Sequence, residues 1–344
     1  MSKSKSKVNI KDVAAAANVH PSTVSRVLNP STRSMVSEDV AARVTKIADD
    51  LGYARSALAS GLRTGKSFTI GVIIPDLSNP VFPPVVRGIE RALGAEGYIA
   101  ILADSDNNPS SERAIFESMK SRSIDGMILA TAHTKDPVVT ACVEAQLPVV
   151  LVNRTVAAHD VNEVVNNDEL GIELAVTHLT DLGHQAIAFL GGPEDTTTGR
   201  DRRQTFERLG NDGQFNLLPE LCISCDAFTE SAGALGMQAI LQHKGSFTAV
   251  VAANDLLALG CYDALAGAGV NCPRDVSVTG FNDMPFVDRL SPPLTSIHIQ
   301  HDELGVRAAA LLLEEIRGEN TARQTIRLDP ELVVRGSTAA PPNQ

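Results

Sequence analysis

The sequence predicts an α/β protein in which a three-helix headpiece with a helix-turn-helix precedes two lobes, each built on a doubly wound parallel sheet. Three observations predict this fold. Helical periodicity broken by one tight corner fills the start of the chain, strand patterns alternate with helical patterns after residue 67, and that alternation occurs in two successive runs. With 344 residues, 43% of them hydrophobic, the chain is long enough for two such lobes.

The first two helices form the helix-turn-helix. Apolar residues recur at helical spacing between Ile10 and Ala17, and the pattern breaks at Asn18. Pro21 suits the first turn of a second helix, because the first N–H groups of a helix have no intrahelical partner. This helix is predicted over residues 22–28. Its buried stripe comprises Val24, Val27 and Leu28, and its polar face comprises Ser22, Thr23, Ser25 and Arg26. Such a face fits the major groove of DNA.

The charge distribution supports a nucleic-acid partner for the start of the chain only. Up to Lys66 there are 11 Lys and Arg residues against 5 Asp and Glu, a net charge of +6. The remaining 278 residues carry 19 basic against 36 acidic side chains, a net of −17. A basic head attracts the DNA backbone, whereas the acidic body is repelled by it.

A third helix completes the headpiece. It is predicted from Ser37, as N-cap, to Gly52, as stop signal, with acidic residues in its first turn. Its apolar stripe comprises Val40, Val44, Ile47, Ala48 and Leu51. The Ala- and Leu-containing segment 55–65 is too short to be stable as an isolated helix, so we expect it to fold only when docked. The predicted divisions are a headpiece at 1–54, a hinge at 55–66, a two-lobed domain at 67–337 and a disordered tail at 338–344.

Three motifs suggest chemistry that their context does not support. Gly61–Ser67 has three residues between its glycines and follows a helix, whereas a phosphate-binding loop needs four residues and a preceding strand. Cys222 and Cys225 lack a second pair of Cys or His ligands. His298 and His301 stand where a helix-cap or surface role is favoured over a metal site. We therefore expect no catalytic residues, no cofactor and no metal.

The composition favours a cytoplasmic protein. The cysteines number five, are scattered through apolar segments and suit a reduced compartment. The first residues lack the apolar run of a signal peptide, and no stretch approaches the ~20 apolar residues of a membrane span. We expect no contact with a membrane.

Strand and helix patterns alternate from residue 68 onward, which implies parallel sheets with right-handed crossovers. The run at 68–75 is apolar throughout, as in a strand covered on both faces. Strands are predicted at 68–75, 99–103, 126–130, 148–152, 186–190, 221–224, 249–252 and 276–279, and helices at 82–96, 111–121, 137–145 and 168–182, among others. Two runs of this alternation imply two lobes.

Polar side chains follow many of these strands. Because ligands of such sheets bind beyond the carboxyl ends of the strands, these loops are the candidate binding site. The loops are 76–82, 153–154, 192–202, 225–228, 254–255 and 282–283. They contain amides, carboxylates and two Phe residues, which suit the hydroxyl groups and apolar face of a sugar.

The chain resembles the LacI/GalR family of bacterial transcriptional regulators from Val8 to about Ser337. The motifs that carry this resemblance are Ile10-Lys-Asp-Val-Ala, Val19-His-Pro-Ser-Thr-Val-Ser-Arg-Val-Leu-Asn29, Leu62-Arg-Thr-Gly65, Ser78-Asn-Pro-Val-Phe82, Gly191-Gly-Pro193, Asn254-Asp255 and Ser277-Val-Thr-Gly-Phe281. The resemblance implies a headpiece followed by a periplasmic-binding-protein-like effector domain. It also implies a homodimer that reads a palindromic operator, with a small effector between the lobes.

The resemblance assigns roles to single residues of the headpiece and hinge. Positions 21, 22 and 26 match those at which the family contacts base edges, and Arg26 could form a bidentate contact with guanine, worth about 1–3 kcal/mol of discrimination. Leu62 matches the leucine that wedges into the minor groove and kinks the duplex. The predicted DNA-contacting residues are Pro21, Ser22, Thr23, Ser25, Arg26, Asn29 and Leu62.

The resemblance likewise implies an effector site formed by Val81, Phe82, Thr196, Thr198, Arg202, Phe228, Asn254 and Asn282. Two of these depart from common family patterns. Purine-binding members have Arg where Thr196 stands, and many members have an acidic residue where Asn282 stands. The expected effector is a small polar molecule, a sugar or sugar derivative.

The expected mechanism is a population shift, in which cleft closure sets the distance between the two hinges of a dimer and thereby their ability to fold on DNA. The sequence leaves open whether the effector induces or corepresses. The alternative function is a solute-binding protein of the sugar-transport type, which shares the two-lobed fold without binding DNA. The tail lacks leucine heptads, which disfavours a tetramer.

Overall fold

The computed structural model describes residues 8–28, 30–53, 66–156, 161–243, 247–319 and 322–342. The chain divides into two compact units, Met1–Ser67 and Phe68–Gln344. Among the described residues, no helix has both the length and the apolar character needed to cross a bilayer. The predicted Asn29, Leu62 and nearly all of the 55–66 hinge lie outside the described residues.

The first unit is helical: α1 (Ile10–Ala16), α2 (Pro21–Val27), the single turn α3 (Pro30–Arg33) and α4 (Glu38–Asp50). Helix α1 begins with a capping box, in which the Asn9 side chain accepts from Lys11 and Asp12 N–H groups while Asp12 accepts from Asn9 N–H at 2.8 Å. The caps orient α1 and α2 as a helix-turn-helix, with α4 as the third full helix. The turn α3 was not predicted.

The core of this unit is formed by small apolar side chains: Val13, Ala14, Ala17, Val24, Val27, Ala41, Val44 and Ala48. Leu51, placed in the apolar stripe by the sequence, is 40% exposed and lies just beyond the last residue of α4. Ser37 is the N-cap residue of α4, but its side chain makes no capping hydrogen bond.

The first lobe of the second unit contains a six-stranded sheet. Its strands are β1 (Thr69–Ile74), β2 (Ile99–Asp104), β3 (Gly126–Leu129), β4 (Val149–Val152), β5 (Asn162–Asn166) and β11 (Thr325–Leu328), in the order β11-β5-β4-β3-β1-β2. All neighbours are parallel. The helices of this lobe are α5 (Phe82–Ala95), α6 (Pro109–Ser121), α7 (Pro137–Glu144) and α12 (His301–Arg317).

The second lobe repeats this arrangement. Its strands are β6 (Ile187–Gly191), β7 (Cys222–Ser224), β8 (Ala249–Ala252), β9 (Ser277–Asn282), β10 (Thr295–His298) and β12 (Glu331–Val333), in the order β12-β10-β9-β8-β6-β7. All neighbouring strands are parallel except β12, which lies at the edge and runs antiparallel to β10. The helices are α8 (Asp168–Asp181), α9 (Thr197–Asn211), α10 (Glu230–Ile240) and α11 (Asp255–Gly267), with 3₁₀ turns at Pro219–Leu221, Leu241–His243 and Val287–Arg289.

The chain passes between the lobes three times, which the prediction of two successive runs did not include. It crosses after β5, again between β10 and α12, and finally between β11 and β12. The crossing segments are bonded to one another, because Asn167 N–H donates to Leu328 O at 2.9 Å and Gln300 Nε2 donates to Asp329 O at 3.2 Å. Thus α12 and β11, late in the chain, complete the first lobe.

Glycine permits close helix packing in both lobes. A Cβ atom at Gly88 of α5 would lie 2.2 Å from Asp302 O, and one at Gly305 of α12 would lie 2.0 Å from Val85 O. The second lobe uses the same device between α10 and α11, where a Cβ at Gly260 would lie 1.9 Å from Glu230 O. Each helix pair covers the sheet of its own lobe, and the strand ends of the two sheets form the cleft.

The predicted disordered tail is wrong for residues 338–342. Thr338 Oγ1 lies 2.9 Å from His178 Nε2, and Ala339 N–H donates to Ser277 Oγ at 3.0 Å. His184 Nε2 lies 2.9 Å from Ala339 O. These partners lie on α8, on β9 and just after α8, so hydrogen bonds hold this segment against the second lobe.

Candidate DNA-contacting face and effector cleft

Helix α2 presents the side chains that the sequence predicted for its polar face. Ser22 and Arg26 are exposed, Thr23 and Ser25 are half-buried, and Pro21 is half-buried at the first helical position. Its other face is anchored by Val24 and Val27, which are 0% and 3% exposed. The helix is therefore held by its apolar side, and Ser22 and Arg26 are exposed on its polar side.

Hydrogen bonds fix both ends of this helix. At the start, His20 Nδ1 accepts from Ser22 N–H at 3.2 Å, and Ser22 Oγ lies 2.8 Å from the same nitrogen. Because Nδ1 accepts a backbone proton, the neutral ring carries its own proton on Nε2. At the end, Thr32 Oγ1 donates to Arg26 O at 3.1 Å. The sequence analysis did not assign His20 this capping role.

The effector cleft lies in the second unit, where the carboxyl ends of the strands of both lobes face each other. Seven of the eight predicted effector residues line an inner chamber of about 30 Å³: Val81, Phe82, Thr198, Arg202, Phe228, Asn254 and Asn282. Asn79, Asn153 and Arg154 complete its lining. An adjoining outer chamber of about 190 Å³ shares Asn79, Phe82, Arg154 and Phe228 with it. The eighth predicted residue, Thr196, lines the outer chamber.

Helix starts and glycines position the side chains of the cleft. Asn254 caps α11 by accepting from Leu257 N–H at 2.8 Å. Thr196 caps α9, accepting from Gly199 N–H at 3.1 Å and donating to Pro193 O at 2.8 Å, so its hydroxyl is already occupied. The ring of Phe228 covers Gly192, where a Cβ would lie 2.2 Å from the ring.

Arg202 is a buried and fully neutralised cation. Its side chain is 3% exposed, and its Nε and Nη2 donate to Asp168 Oδ1 at 2.9 and 2.7 Å. Nη1 donates to Ala253 O at 2.5 Å, and the guanidinium lies 3.6 Å from the centre of the Phe281 ring. Burial raises the pKa of Asp168, and the contact with Arg202 opposes that shift. The pair fixes the guanidinium where it lines the inner chamber.

Arg154 is a second buried cation, and among the described residues it has no ion pair like that of Arg202. The residue is 6% exposed, Nη1 donates to Thr131 O at 3.3 Å, and Nε has no hydrogen-bond partner within the described part of the chain. Burial lowers the pKa of Arg154 to about 10, and the charges of Asp195 and Glu112 oppose the shift. A guanidinium at this pKa remains charged at neutral pH.

The buried acid Glu112 is linked to Arg154 through Thr131. Thr131, which accepts from Arg154 through its carbonyl, donates its hydroxyl to Glu112 Oε1 on α6. Glu112 is 4% exposed, and burial raises its pKa to about 7. The carboxyl group is therefore only partly ionised at neutral pH and neutralises Arg154 only in part.

The end of β9 is shaped by a second buried acid, Asp255. It accepts from Met284 N–H at 2.8 Å and from Ser296 Oγ at 2.6 Å. A Cβ at Gly280 would lie 2.2 Å from its Oδ1. Burial raises the pKa of Asp255 to about 7. These bonds hold the β9 end where Asn282, with φ of +106°, turns its amide into the inner chamber.

Direct hydrogen bonds join the two lobes at the cleft rim. Thr134 N–H donates to Asp195 O at 2.9 Å, and His133 Nδ1 lies 3.2 Å from Asp195 Oδ2. Thr155 N–H donates to Thr197 Oγ1 at 3.0 Å. The structure therefore shows the cleft in a closed arrangement.

The predicted site residues omitted Asn79, Asn153, Arg154, His133 and Asp195. Four of them lie in strand-end loops that the sequence had singled out, so their position was available but their orientation was not. The signal for His133 was its place just after a predicted strand, in a loop that was passed over.

Within the described part of the chain, no group of three or more His, Cys, Asp or Glu side chains is placed to hold a metal ion. Burial raises the pKa values of Cys222 and Cys225 to about 11, so both are neutral thiols at pH 7. His298 Nδ1 lies 3.2 Å from Asp283 Oδ2, and burial lowers the pKa of His301 to about 4 at the start of α12.

Comparison with known proteins identifies the family. A model described as bacterial regulatory proteins, lacI family, matches residues 9–56, and a model of the periplasmic binding protein-like domain matches residues 176–338. The ribose operon repressor of Escherichia coli (strain K12) is 32% identical over 329 residues, which cover 95% of this chain and 99% of that protein. The chain belongs to the LacI family of bacterial regulatory proteins.

Solved structures share this fold. A complex of the transcriptional regulator CelR with cellobiose has a TM-score of 0.74 at 27% identity, covering 96% of this chain and 99% of that one. A LacI-family regulator from Enterococcus faecium with bound ribose has a TM-score of 0.68 at 29% identity, covering 79% and 99%. The predicted fold and regulator function are confirmed. This LacI-family protein is a DNA-binding transcriptional regulator with a small-molecule effector, and, like its repressor relatives, it is not an enzyme.

Proposed function

We propose that this LacI-family protein represses transcription by binding a palindromic operator as a homodimer, and that a sugar or sugar derivative in the cleft controls the binding. The proposal places its action in the cytoplasm, at the nucleoid when it is bound to the operator. The proposal of DNA binding rests on the polar face of α2, where Ser22 and Arg26 are exposed while the opposite face of the helix packs in the headpiece core.

Base recognition is assigned to Arg26, Ser22 and Pro21. Arg26 is exposed near the end of α2, and a guanidinium can donate two hydrogen bonds to one guanine. Ser22 is exposed but its hydroxyl already contacts His20 Nδ1, so it offers DNA an acceptor more readily than a donor. Thr23, Ser25 and Asn29 are assigned supporting contacts with the backbone or bases.

One headpiece contacts only a few base pairs, so a single copy has little sequence discrimination. Two copies related by a two-fold axis double the contact and require a palindrome. Leu62, in the segment that links the units, is assigned the wedge at the operator centre, where it meets its counterpart from the second copy. An induced fold of this segment on DNA is consistent with its short length and apolar composition.

The proposal of a sugar effector rests on the side chains that line the cleft. Four amide side chains, a threonine hydroxyl and two guanidinium groups surround the inner chamber, and Phe82 and Phe228 provide apolar faces. Amides donate and accept, so they satisfy the hydroxyls of a sugar, while aromatic rings cover its C–H face. Sugar complexes of two structurally similar regulators support the same class of ligand.

The proposed allosteric device is cleft closure. The rim bonds from Asp195 to His133 and Thr134 join the lobes, so a ligand that strengthens or prevents this closure shifts the population of closed molecules. The three crossing segments are the hinges that such a motion needs. In the dimer, closure sets the spacing of the two Leu62 segments and therefore the affinity for the operator.

Selection of binding sites from random duplexes tests the DNA half. Selected sites are expected to be palindromic, and Arg26→Ala is expected to lose about 1–3 kcal/mol of discrimination at one position in each half-site. Arg43→Ala, which removes the same charge from the exposed side of α4, is the matched control and leaves the base preference intact. Equal base preferences in the wild type and Arg26→Ala would refute the assignment. Leu62→Ala is expected to weaken operator binding while effector binding persists.

A further inference from the structure

The charged side chains that line the inner chamber are all positive among the described residues. Its lining residues are four asparagines, one threonine, three apolar residues and two arginines, and none of those described is acidic. A neutral sugar site gains from carboxylates, which accept hydrogen bonds from hydroxyl groups strongly. This chamber offers hydrogen-bond donors in excess, together with positive charge.

The two arginines differ in how their charge is balanced. Arg202 has Asp168 as its counterion and the Ala253 carbonyl as a further acceptor, so its N–H groups are largely engaged. Arg154 has no carboxylate within ion-pair distance among the residues that the structure describes, and its Nε has no partner. A guanidinium buried to this extent is costly unless an anion joins it. The uncompensated charge of Arg154 lies against both chambers.

The carboxylates nearest to Arg154 do not fill this role. Asp195 lies beside His133, at 3.2 Å, and Glu112 accepts the Thr131 hydroxyl. Both act on Arg154 through space, and neither forms an ion pair with it. Among the described residues, therefore, no carboxylate contacts Arg154 directly, and the proposal assigns that role to a ligand.

Helix starts add to the positive field. Helices α5, α9 and α11 all begin at the inner chamber, with Phe82, Thr198 and Asn254 in its lining. The amino-terminal end of a helix carries a partial positive charge, which favours an anion. These three ends reinforce the uncompensated guanidinium of Arg154.

The outer chamber combines acidic side chains with Arg154, which it shares with the inner chamber. Asp76, Asp195 and Asp226 line it together with Phe82 and Phe228. Its volume of about 190 Å³ suits a sugar ring or chain with hydroxyl groups, whereas the inner volume of about 30 Å³ suits one small group. A ligand that fits both chambers has its anionic group in the chamber of about 30 Å³ and its hydroxyls in the chamber of about 190 Å³.

We propose that the effector is an anionic sugar derivative, a sugar acid or a sugar phosphate, whose carboxylate or phosphate accepts hydrogen bonds from Arg154. This inference rests on the proposed function, because it names the class of the effector in the same cleft. Asn282 stands where many family members have an acidic residue that would repel such a group, and the amides of Asn153 and Asn282 donate N–H bonds to it.

Calorimetric titration of the full-length protein tests this with matched probes. The probes are glucose, glucuronate and glucose 6-phosphate, then ribose, ribonate and ribose 5-phosphate. One acid or phosphate is expected to bind at least 10-fold more tightly than its neutral parent, and the acid and phosphate arms distinguish the two sources of negative charge. Because the contact is buried, moderate salt is expected to change its Kd little.

Arg154→Gln is the decisive variant, and Arg200→Gln is its matched control, because Arg200 is a half-exposed cation on α9 that pairs with Asp201. Arg154→Gln is expected to weaken binding of the anionic probe about 10- to 100-fold and of its neutral parent much less. The control is expected to change neither. Without ligand, Arg154→Gln is expected to unfold at the wild-type temperature or above it, because it removes an uncompensated buried charge.

Tighter binding of a neutral parent than of its acid and phosphate would overturn this proposal and leave the sugar effector in place. An equal loss for neutral and anionic probes in Arg154→Gln would also overturn it, since the residue would then act on the fold of the cleft. If no probe of either kind binds, while operator binding persists, both the anionic class and the proposed sugar effector are wrong.

Discussion

Glu112→Gln should change how stability depends on pH. Glu112 is 4% exposed, and burial raises its pKa from 4.5 to about 7, so the folded protein binds the proton more tightly than the unfolded chain. Between these two values the folded state keeps a proton that the unfolded state has released, so the contribution of Glu112 to stability falls as pH rises. With one pKa unit equal to about 1.4 kcal/mol, the ionised group costs on the order of 3 kcal/mol above pH 7.

Most of that cost develops between pH 5 and pH 8. The glutamine side chain introduced by Glu112→Gln has the same shape, can accept the Thr131 hydroxyl through its carbonyl oxygen and does not titrate. The difference in unfolding free energy, Glu112→Gln minus wild type, should therefore increase by about 2–3 kcal/mol across this interval. The change is measured by urea unfolding at half-unit pH steps, followed by far-UV circular dichroism.

Using the difference removes the other titrating groups from the comparison. Asp255 has a pKa raised to about 7 and His301 one lowered to about 4, and both titrate in the wild type and the variant alike. Glu117→Gln on the same helix is the control, because Glu117 is half-exposed beside Arg113. Parallel pH profiles for the wild type and Glu112→Gln would refute the argument that burial controls the pKa of this carboxyl group.

Two further changes test the packing around the cleft. Gly88→Ala is expected to destabilise the protein by about 2–3 kcal/mol in urea unfolding, because the new Cβ would lie 2.2 Å from a backbone oxygen of α12. Gly94→Ala on the same helix has open space at that point and should stabilise the protein by about 0.5–1 kcal/mol. Effects of the same sign in the two variants would contradict this reasoning. Asp168→Asn is expected to cost about 3–5 kcal/mol, because Arg202 keeps its charge in a buried site without a counterion, and a loss below about 1 kcal/mol would show that the pair contributes little.

The outer framework of the site was predictable because it depends on local pattern. Strand patterns located β1, β3, β4, β6 and β8 to within one or two residues, and the loops after them supply most of the cleft lining. The polar face of α2 followed from helical periodicity alone. These features arise between residues three or four positions apart in a helix, or two apart in a strand, so the sequence displays them directly.

Strands with distant partners were not predicted. β5 and β11 are short and half-polar, and β11 pairs with β5 across about 160 residues of chain, Thr325 facing Glu163. Helix α12 follows the strands of the second lobe in the chain, yet it packs on α5 of the first lobe through Gly305 and Gly88. No local pattern distinguishes a helix that returns to the first lobe from one that stays with the second.

By itself, the sequence determined that this protein has a basic helix-turn-helix, an acidic α/β body and polar loops at the strand ends. Only the tertiary structure decided that the chain crosses between the lobes three times. It also decided that Asp168 neutralises Arg202 while Arg154 is left without a counterion among the described residues. The reason is physical: periodicity and net charge are properties of neighbouring residues, whereas the environment of a charge depends on which distant segments surround it and exclude water.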